Sequence, residues 1–240
     1  MLLYKAWKET QWRYLISLVL VILPSYDFLT WKKFLLPGDL DGRPAYLKAL
    51  FNHHVAVALI WIISAVFLGL GGLVRERAVG SSAFTLTLPV GRAKLVAVRA
   101  AVGFLEAITL AIVPWVINFL ISGIRQTPFS LAQASYCILL LTAGGIVYFS
   151  LAILISSIFE GEYTAAAIAY GLVILSLFLS ESVSHLKALN LVYVVTGLDY
   201  INKQTFEFSG PPPWFELVAT VSIAVVMLLT SIVVTKQKDF

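Results

Sequence analysis

The stretch that decides the fold is residues 75–99, which read RERAVGSSAFTLTLPVGRAKLVAVR. It holds five of the seventeen basic residues and lies between two long apolar runs. A segment with this much charge is costly to place in hydrocarbon, so it must emerge on one side of a membrane. We therefore expect the chain to cross a membrane both before and after it.

The composition of the whole chain supports a membrane location. Hydrophobic residues make up 60% of the 240 residues and charged residues 12%, whereas a globular domain is about half apolar and about a quarter charged. This predicts an all-α, polytopic membrane protein with one transmembrane domain over residues 1–240. The net charge of +4 is dispersed among apolar spans, which is typical of lipid-flanking residues and not of a nucleic-acid surface.

Six apolar runs predict six transmembrane helices, at about residues 14–29, 53–74, 94–121, 131–159, 163–179 and 214–234. Residues 1–13 mix tryptophans with basic residues, which fits either a short interfacial helix or the ordinary basic flank of span one. Six spans put both termini on one side. Ten Lys and Arg residues fall on that side and seven on the other, which predicts cytoplasmic termini.

Residues 75–93 are predicted to form a compact cytoplasmic segment between spans two and three. Gly80 permits a turn that a Cβ would hinder, and Pro89 constrains the chain just before a helix start. The Arg-Glu-Arg group at 75–77 alone is typical of ordinary flanking charges. Its combination with the turn, the apolar run at 83–88 and the Leu-Pro step favours a docking surface.

Three positions inside or beside predicted spans are candidate functional residues. Glu106 lies seven residues after Arg99, so the two share a helix face about 10 Å apart; such a carboxylate indicates either a polar pathway or a structural hydrogen bond. Asn118 is a weaker pathway candidate and is more typical of a helix–helix contact. His53 and His54 diverge by about 100° on a helix, which favours an interfacial pair at a helix start over two ligands of one metal.

The sequence contains no common catalytic motif. It lacks Gly-x-x-x-x-Gly-Lys-[Ser/Thr], His-Glu-x-x-His and Gly-x-Ser-x-Gly, and its one cysteine, Cys137, cannot form an intrachain disulfide. We expect no catalytic residue, metal or cofactor in this chain. An intramembrane enzyme or accessory membrane protein that uses Glu106 is the alternative to a transport subunit.

The segment from Arg75 to Arg92 resembles the coupling segment of ABC-2 type transporter permeases. In both, a glutamate and a small-residue turn lead into a Leu-Pro-x-x-Arg step. The Gly-Leu-Asp step at 197–199, the last apolar span and the basic-Asp stop at 238–239 are also similar. The turn at 160–162 departs from the family, which often has a basic residue where this chain has two glutamates.

This resemblance implies a type V exporter-like architecture, in an exporter of the cell inner membrane. It implies that the chain forms a dimer with a second copy of itself or with a second permease. Spans one and five would form the interface. A separate ABC ATPase that binds ATP and Mg would supply the energy. The residues that the resemblance assigns to ATPase coupling, with Glu76 as the anchor, are Arg75, Glu76, Arg77, Gly80, Ser81, Pro89 and Arg92.

Overall fold

The computed structural model describes residues 2–34, 43–70, 91–125, 130–159, 161–182, 191–202, 208 and 210–237. In these ranges the chain is helical, which confirms the predicted all-α class. The helices are α1 (Leu2–Phe34), α2 (Arg43–Gly69), α3 (Arg92–Arg125), α4 (Leu131–Ile158), α5 (Glu162–Ser182), α6 (Leu191–Thr196) and α7 (Trp214–Gln237). The strand-like feature in the same ranges is an isolated antiparallel bridge between Ile201 and Phe208.

Four of the described helices are long and apolar enough to cross a membrane. They are Leu47–Gly69 of α2, Ala93–Ile121 of α3, Leu131–Ile158 of α4 and Trp214–Gln237 of α7. Each coincides with one of the predicted spans, so the protein is a polytopic membrane protein.

The other two predicted spans fall on helices with shorter apolar stretches. In α1 the run between Arg13 and Asp27 is thirteen residues long, less than the roughly 20 that cross a bilayer without tilt or thinning. In α5 the apolar part is Tyr163–Phe178. The count of six spans therefore stays a prediction.

The ends of α1 and α2 differ from the predicted boundaries. One continuous helix, α1, covers residues 2–13 of the proposed interfacial segment and all of the proposed span 14–29. Helix α2 begins at Arg43, ten residues before the predicted start of span two. Pro44 occupies its first turn, where a missing N–H costs nothing because that group has no intrahelical acceptor. The predicted end of span two, residues 71–74, lies outside the described residues.

The centre of the bundle is Trp61 on α2, which is almost completely buried. Its indole Nε1–H donates to the Ala107 carbonyl of α3 at 2.9 Å. Its ring lies against Gly145 of α4, where any Cβ would overlap it. A large aromatic side chain thus fills the space between three helices and still satisfies its one donor.

Helix α4 contains a π turn at Leu140–Gly144, halfway along its length. The turn packs against α7, and the Thr220 hydroxyl of α7 donates to the Ala143 carbonyl at 2.9 Å. A π turn displaces carbonyls from the regular helical pattern, so an acceptor becomes available to a neighbouring helix. The last helix is thereby joined to the bundle by a hydrogen bond as well as by packing.

Replacing Gly145 by valine should destabilise the bundle, since the new side chain must displace the Trp61 ring. We expect a loss of about 1–3 kcal/mol in the free energy of unfolding, the usual cost of overpacking. Gly171→Val is the matched control, because a Cβ on that α5 glycine meets nothing within 4 Å. Equilibrium unfolding in mixed micelles with increasing SDS measures both variants; equal losses would contradict the assigned Trp61 contact.

Candidate functional site

The predicted coupling residues lie mostly outside the described part of the chain. Arg75, Glu76, Arg77, Gly80, Ser81 and Pro89 all fall in residues 71–90, and Arg92 is described only as the first residue of α3. The structure does describe what holds the two ends of that segment, at Leu70 and at the start of α3. The candidate site is built from these flanking residues.

Two arginines converge on the main chain where α2 ends. The Leu70 carbonyl accepts a hydrogen bond from Arg13 Nη1 of α1 and one from Arg99 Nη2 of α3 at 3.4 Å. Arg13 also donates to the Phe67 carbonyl at 3.5 Å. The last carbonyls of a helix have no intrahelical donor and carry partial negative charge, so two guanidinium groups here cap α2 electrostatically.

Arg99 is paired with a carboxylate, and Arg13 lies against an aromatic ring. Arg99 Nη1 lies 3.1 Å from Glu9 Oε2 of α1, and Lys5 Nζ lies 3.6 Å from Glu9 Oε1. The Arg13 guanidinium lies over the Phe67 ring, 5.4 Å from its centroid. Glu9, Arg13, Arg99 and the Leu70 carbonyl, together with Thr10 and Glu106, are called the arginine cluster below.

Glu106 belongs to this cluster through α1. The Thr10 hydroxyl lies 2.5 Å from Glu106 Oε1, and Glu106 as a residue is 4% exposed. Its second oxygen has no hydrogen-bond partner among the described residues. Of the two predicted roles for Glu106, a structural hydrogen bond between helices is thus present, and the unpartnered oxygen leaves acceptor capacity for a group that enters from elsewhere.

The sequence analysis did not identify the cluster residues of α1. It treated Glu9 and Arg13 only as charges that flank the first span. The overlooked signal is a helical stripe of small and polar residues on α1, all buried: Ala6, Thr10, Arg13, Ser17, Val21 and Ser25. Small and polar residues at this spacing are typical of a helix that packs closely on others within a membrane. The stripe is therefore the face that α1 presents to α2 and α3.

A second polar group lies toward the opposite end of α2 and α3. His54 is sixteen residues before Leu70, about 24 Å along the helix axis. Its ring lies 5.9 Å from the Trp115 ring of α3 and 6.3 Å from that of Phe208, and His53 Nδ1 lies 3.2 Å from the Pro24 carbonyl of α1. Both histidines are buried, and they lie within α2, which begins at Arg43, and not at a helix start as expected.

Asn118 follows Trp115 by one helical turn and is 5% exposed. Neither side-chain atom of Asn118 has a hydrogen-bond partner in the described ranges, and the same is true of the Trp115 indole nitrogen. His53, His54, Trp115, Asn118 and Phe208 are called the histidine cluster below. Within the described residues, no three His, Cys, Asp or Glu side chains are placed to hold a metal ion.

The fold defines an integral membrane protein with a buried polar cluster toward each end of α2. A family model described as "ABC-2 family transporter protein" matches residues 10–240. The chain therefore belongs to the ABC-2 transporter family and is a membrane-spanning permease component of an ABC transporter. This family consists of transport subunits, which favours that function over the intramembrane enzyme considered from Glu106.

Neither a curated protein nor a solved structure matches the chain.

The shared Leu70 carbonyl predicts a non-additive effect of the two arginines. Arg13→Met or Arg99→Met alone leaves the carbonyl with its other donor and keeps most of the apolar stem. The double variant leaves a buried carbonyl without either donor, so its loss of unfolding free energy should exceed the sum of the single losses by about 1–3 kcal/mol.

The same SDS unfolding assay measures this cycle. Lys94→Met is the control, since Lys94 is exposed near the start of α3 and its replacement should cost less than about 0.5 kcal/mol. Additive losses for Arg13 and Arg99 would show that the two side chains do not share an acceptor.

Proposed function

We propose that this permease is an exporter subunit of the cell inner membrane, with cytoplasmic termini, and that a separate ABC ATPase docks on residues 75–92. The observation that carries the proposal is the arginine cluster. It ties Leu70, the last described residue before that segment, to α1 through Arg13 and to α3 through Arg99. A force applied to the segment would therefore reach three helices at once.

The transmission would depend on the arginine cluster staying assembled. Helix α2 meets the docking segment at Leu70, and α3 begins at Arg92, two turns before Arg99. Closure of the ATPase around ATP and Mg would displace the segment, and the capped end of α2 would move with the starts of α1 and α3. The ATPase would bind the nucleotide, because this chain has no phosphate-binding loop.

The pathway for the transported molecule would follow the buried face of α3. Glu106 lies near the middle of α3 and Asn118 toward its C-terminal end, and both are buried. Between them Leu110 and Ala111 are completely buried and apolar. A pathway with polar ends and an apolar middle would block leakage until the helices move apart.

A second permease subunit would complete the transporter. Helix α1 exposes Trp12, Val19 and Leu23 on the side away from its buried stripe, and α5 exposes Tyr163 and Phe178. Exposed apolar side chains of a membrane protein contact either lipid or another helix. The exposed faces of α1 and α5 could therefore form the dimer interface proposed for spans one and five. The proposal accommodates either a homodimer or a heterodimer.

The proposed orientation predicts which introduced cysteines are reachable from outside the cell. Ser82→Cys should react with a membrane-impermeant maleimide only after the membrane is opened, whereas Gly38→Cys should react in intact cells. The native Cys137 is buried and provides the unlabelled background. Labelling of Ser82→Cys from outside intact cells would contradict the proposed orientation.

Glu76→Ala should uncouple the transporter without unfolding the subunit. A charge-assisted hydrogen bond to a basic or amide group of the ATPase is worth about 1.5–3 kcal/mol, so its loss should weaken the complex roughly tenfold to a hundredfold. Expression and membrane insertion should stay at the wild-type level, because a surface substitution rarely costs more than about 0.5 kcal/mol. Pull-down of the ATPase and ATP hydrolysis by the complex measure the effect.

Glu162→Ala is the matched control for Glu76, as it removes an acidic residue from the other predicted cytoplasmic turn. It should leave complex formation and ATP hydrolysis unchanged. The reverse result, with normal coupling in Glu76→Ala and loss in Glu162→Ala, would assign the docking surface to the turn at 160–162.

A further inference from the structure

Helix α7 exposes a continuous apolar face. It is the least buried of the four described helices that are long enough to span a membrane. The side chains of this face are more than half exposed and repeat at helical spacing: Phe215, Val218, Val226, Leu229 and Val233. Lys236 is also exposed and follows Val233 by three residues, so it ends the same face. From Phe215 to Lys236 the face is about 32 Å long, close to the roughly 30 Å of a hydrocarbon core.

Helix α3 has a similar outer face. Large exposed apolar residues share one side of this helix: Leu105, Ile112, Val116 and Phe119. Lys94 is exposed eleven residues before Leu105, a spacing close to three helical turns, so it belongs to the same face. Each of the two faces therefore has aliphatic side chains along its length, a lysine at one end and a phenylalanine toward the other.

Contacts with α4 show that these two helices run in opposite directions. A Cβ on Gly103 of α3 would touch the Phe149 ring of α4, whereas Trp115, farther along α3, packs in one cluster with Cys137, which precedes Phe149. Helix α3 is therefore antiparallel to α4.

Helix α7 is parallel to α4. Just before α7 begins, the Pro211 carbonyl accepts from the hydroxyl of Tyr136. Farther along, the Thr220 hydroxyl of α7 donates to the carbonyl of Ala143. Residue numbers thus rise together in the two helices, so the start of α3 and the end of α7 lie at the same end of the bundle.

The same contacts place Lys94 and Lys236 at one level. Lys94 is nine residues before Gly103, so it lies about 14 Å beyond Phe149 along the bundle. Lys236 is sixteen residues after Thr220, about 24 Å along the axis. Phe149 is six residues after the α4 carbonyl that Thr220 contacts, about 9 Å in the same direction, so Lys236 lies about 15 Å beyond it. Because α3 and α7 also pack against each other, the two lysines lie at one level on neighbouring helices.

This arrangement matches the chemistry of an anionic phospholipid. Aliphatic faces of this length fit acyl chains, and a lysine near the end of a membrane helix extends its stem so that the ammonium group reaches the headgroups. Each helix has one acidic residue, and it is distant from the lysine: Glu106 is twelve residues from Lys94, and Glu216 is twenty residues from Lys236. A lipid phosphate would supply the counter-charge. A soluble partner would reach the lysines but not the apolar residues that continue from them.

We propose that the outer faces of α3 and α7 form a docking surface for anionic phospholipid. Lys94 and Lys236 hold the headgroup phosphates, and the apolar residues of the two faces contact the acyl chains. Each lysine favours an anionic over a zwitterionic lipid by about fivefold. The preference falls as salt is added, because ions screen the exposed charges. This surface is independent of the proposed docking of an ATPase.

Quenching of a fluorescent label by brominated lipids tests the surface in nanodiscs that contain the subunit alone. The discs hold equal amounts of phosphatidylglycerol and phosphatidylcholine, and one of the two is brominated in each sample. A bimane label on Val233→Cys reports one turn from Lys236, and a label on Val218→Cys reports on the same face near its other end. We expect phosphatidylglycerol to be preferred about fivefold at Val233 and the two lipids to quench equally at Val218. The native Cys137 is buried and gives the same background in every sample.

Charge variants assign the preference to the lysines. Lys236→Gln should lower the ratio at Val233 close to one, whereas Lys236→Arg should keep it, because the positive charge remains. A label on Ala97→Cys, at an exposed alanine of α3, makes the same comparison for Lys94→Gln.

Three results would overturn the proposal. Equal quenching by the two lipids at Val233 would show that the surface does not select anionic lipid. An equal preference at Val218 would show that the lysines do not cause the selection. If neither lipid quenches the Val233 label, protein covers this face, as in a contact with a second subunit.

Discussion

The need of the Leu70 carbonyl for hydrogen-bond donors is the constraint on which the packing of α1, α2 and α3 depends. In our proposal this end of the bundle faces the cytoplasm. A helix that ends near a membrane surface leaves its last carbonyls without donors, and an apolar environment makes each of them expensive. Arg13 and Arg99 supply donors from two other helices. The requirement to satisfy one main-chain oxygen therefore fixes the relative positions of α1, α2 and α3.

The arginines in turn need an environment that tolerates them. Glu9 pairs with Arg99, and the ring of Phe67 lies under Arg13. Removing one member of such a group leaves the remaining charges uncompensated, so the cluster acts as a unit and not as separate contacts. Glu106 and Thr10 extend it by one hydrogen bond along α1 and α3.

Glycines allow α4 to approach α2 and α3 closely beside the arginine cluster. A Cβ on Gly69 would lie 2.6 Å from the Phe149 carbonyl oxygen of α4, and one on Gly103 would lie 2.8 Å from the Phe149 ring. These glycines are next to Leu70 and one turn after Arg99, so α4 contacts α2 and α3 immediately beside the arginine cluster. Any movement that opens the cluster must therefore also rearrange the packing of α4, which connects it to the Trp61 core and to the π turn.

Much of the fold was predictable from local sequence, because hydrocarbon permits only helices and requires long apolar runs. Composition alone predicted the all-α class, and four apolar runs coincide with the helices that are long enough to span a membrane. The family was recognisable from the stretch between Arg75 and Arg92, since its order of charge, turn, Leu-Pro step and basic helix start is local. The weak apolar run of α1 and the early start of α2 were not predictable in the same way, because charges and prolines at helix ends are compatible with several boundaries.

Tertiary structure alone decided which polar residues meet. The sequence placed Arg99 and Glu106 on one face of a helix, but their partners Glu9 and Thr10 are some ninety residues away along the chain. It also offered no sign that the His54 and Trp115 rings would be buried together, because that depends on how α2 packs against α3. Periodicity indicates which face of a helix is buried, whereas the identity of the neighbour on that face is set by the packing of the whole bundle.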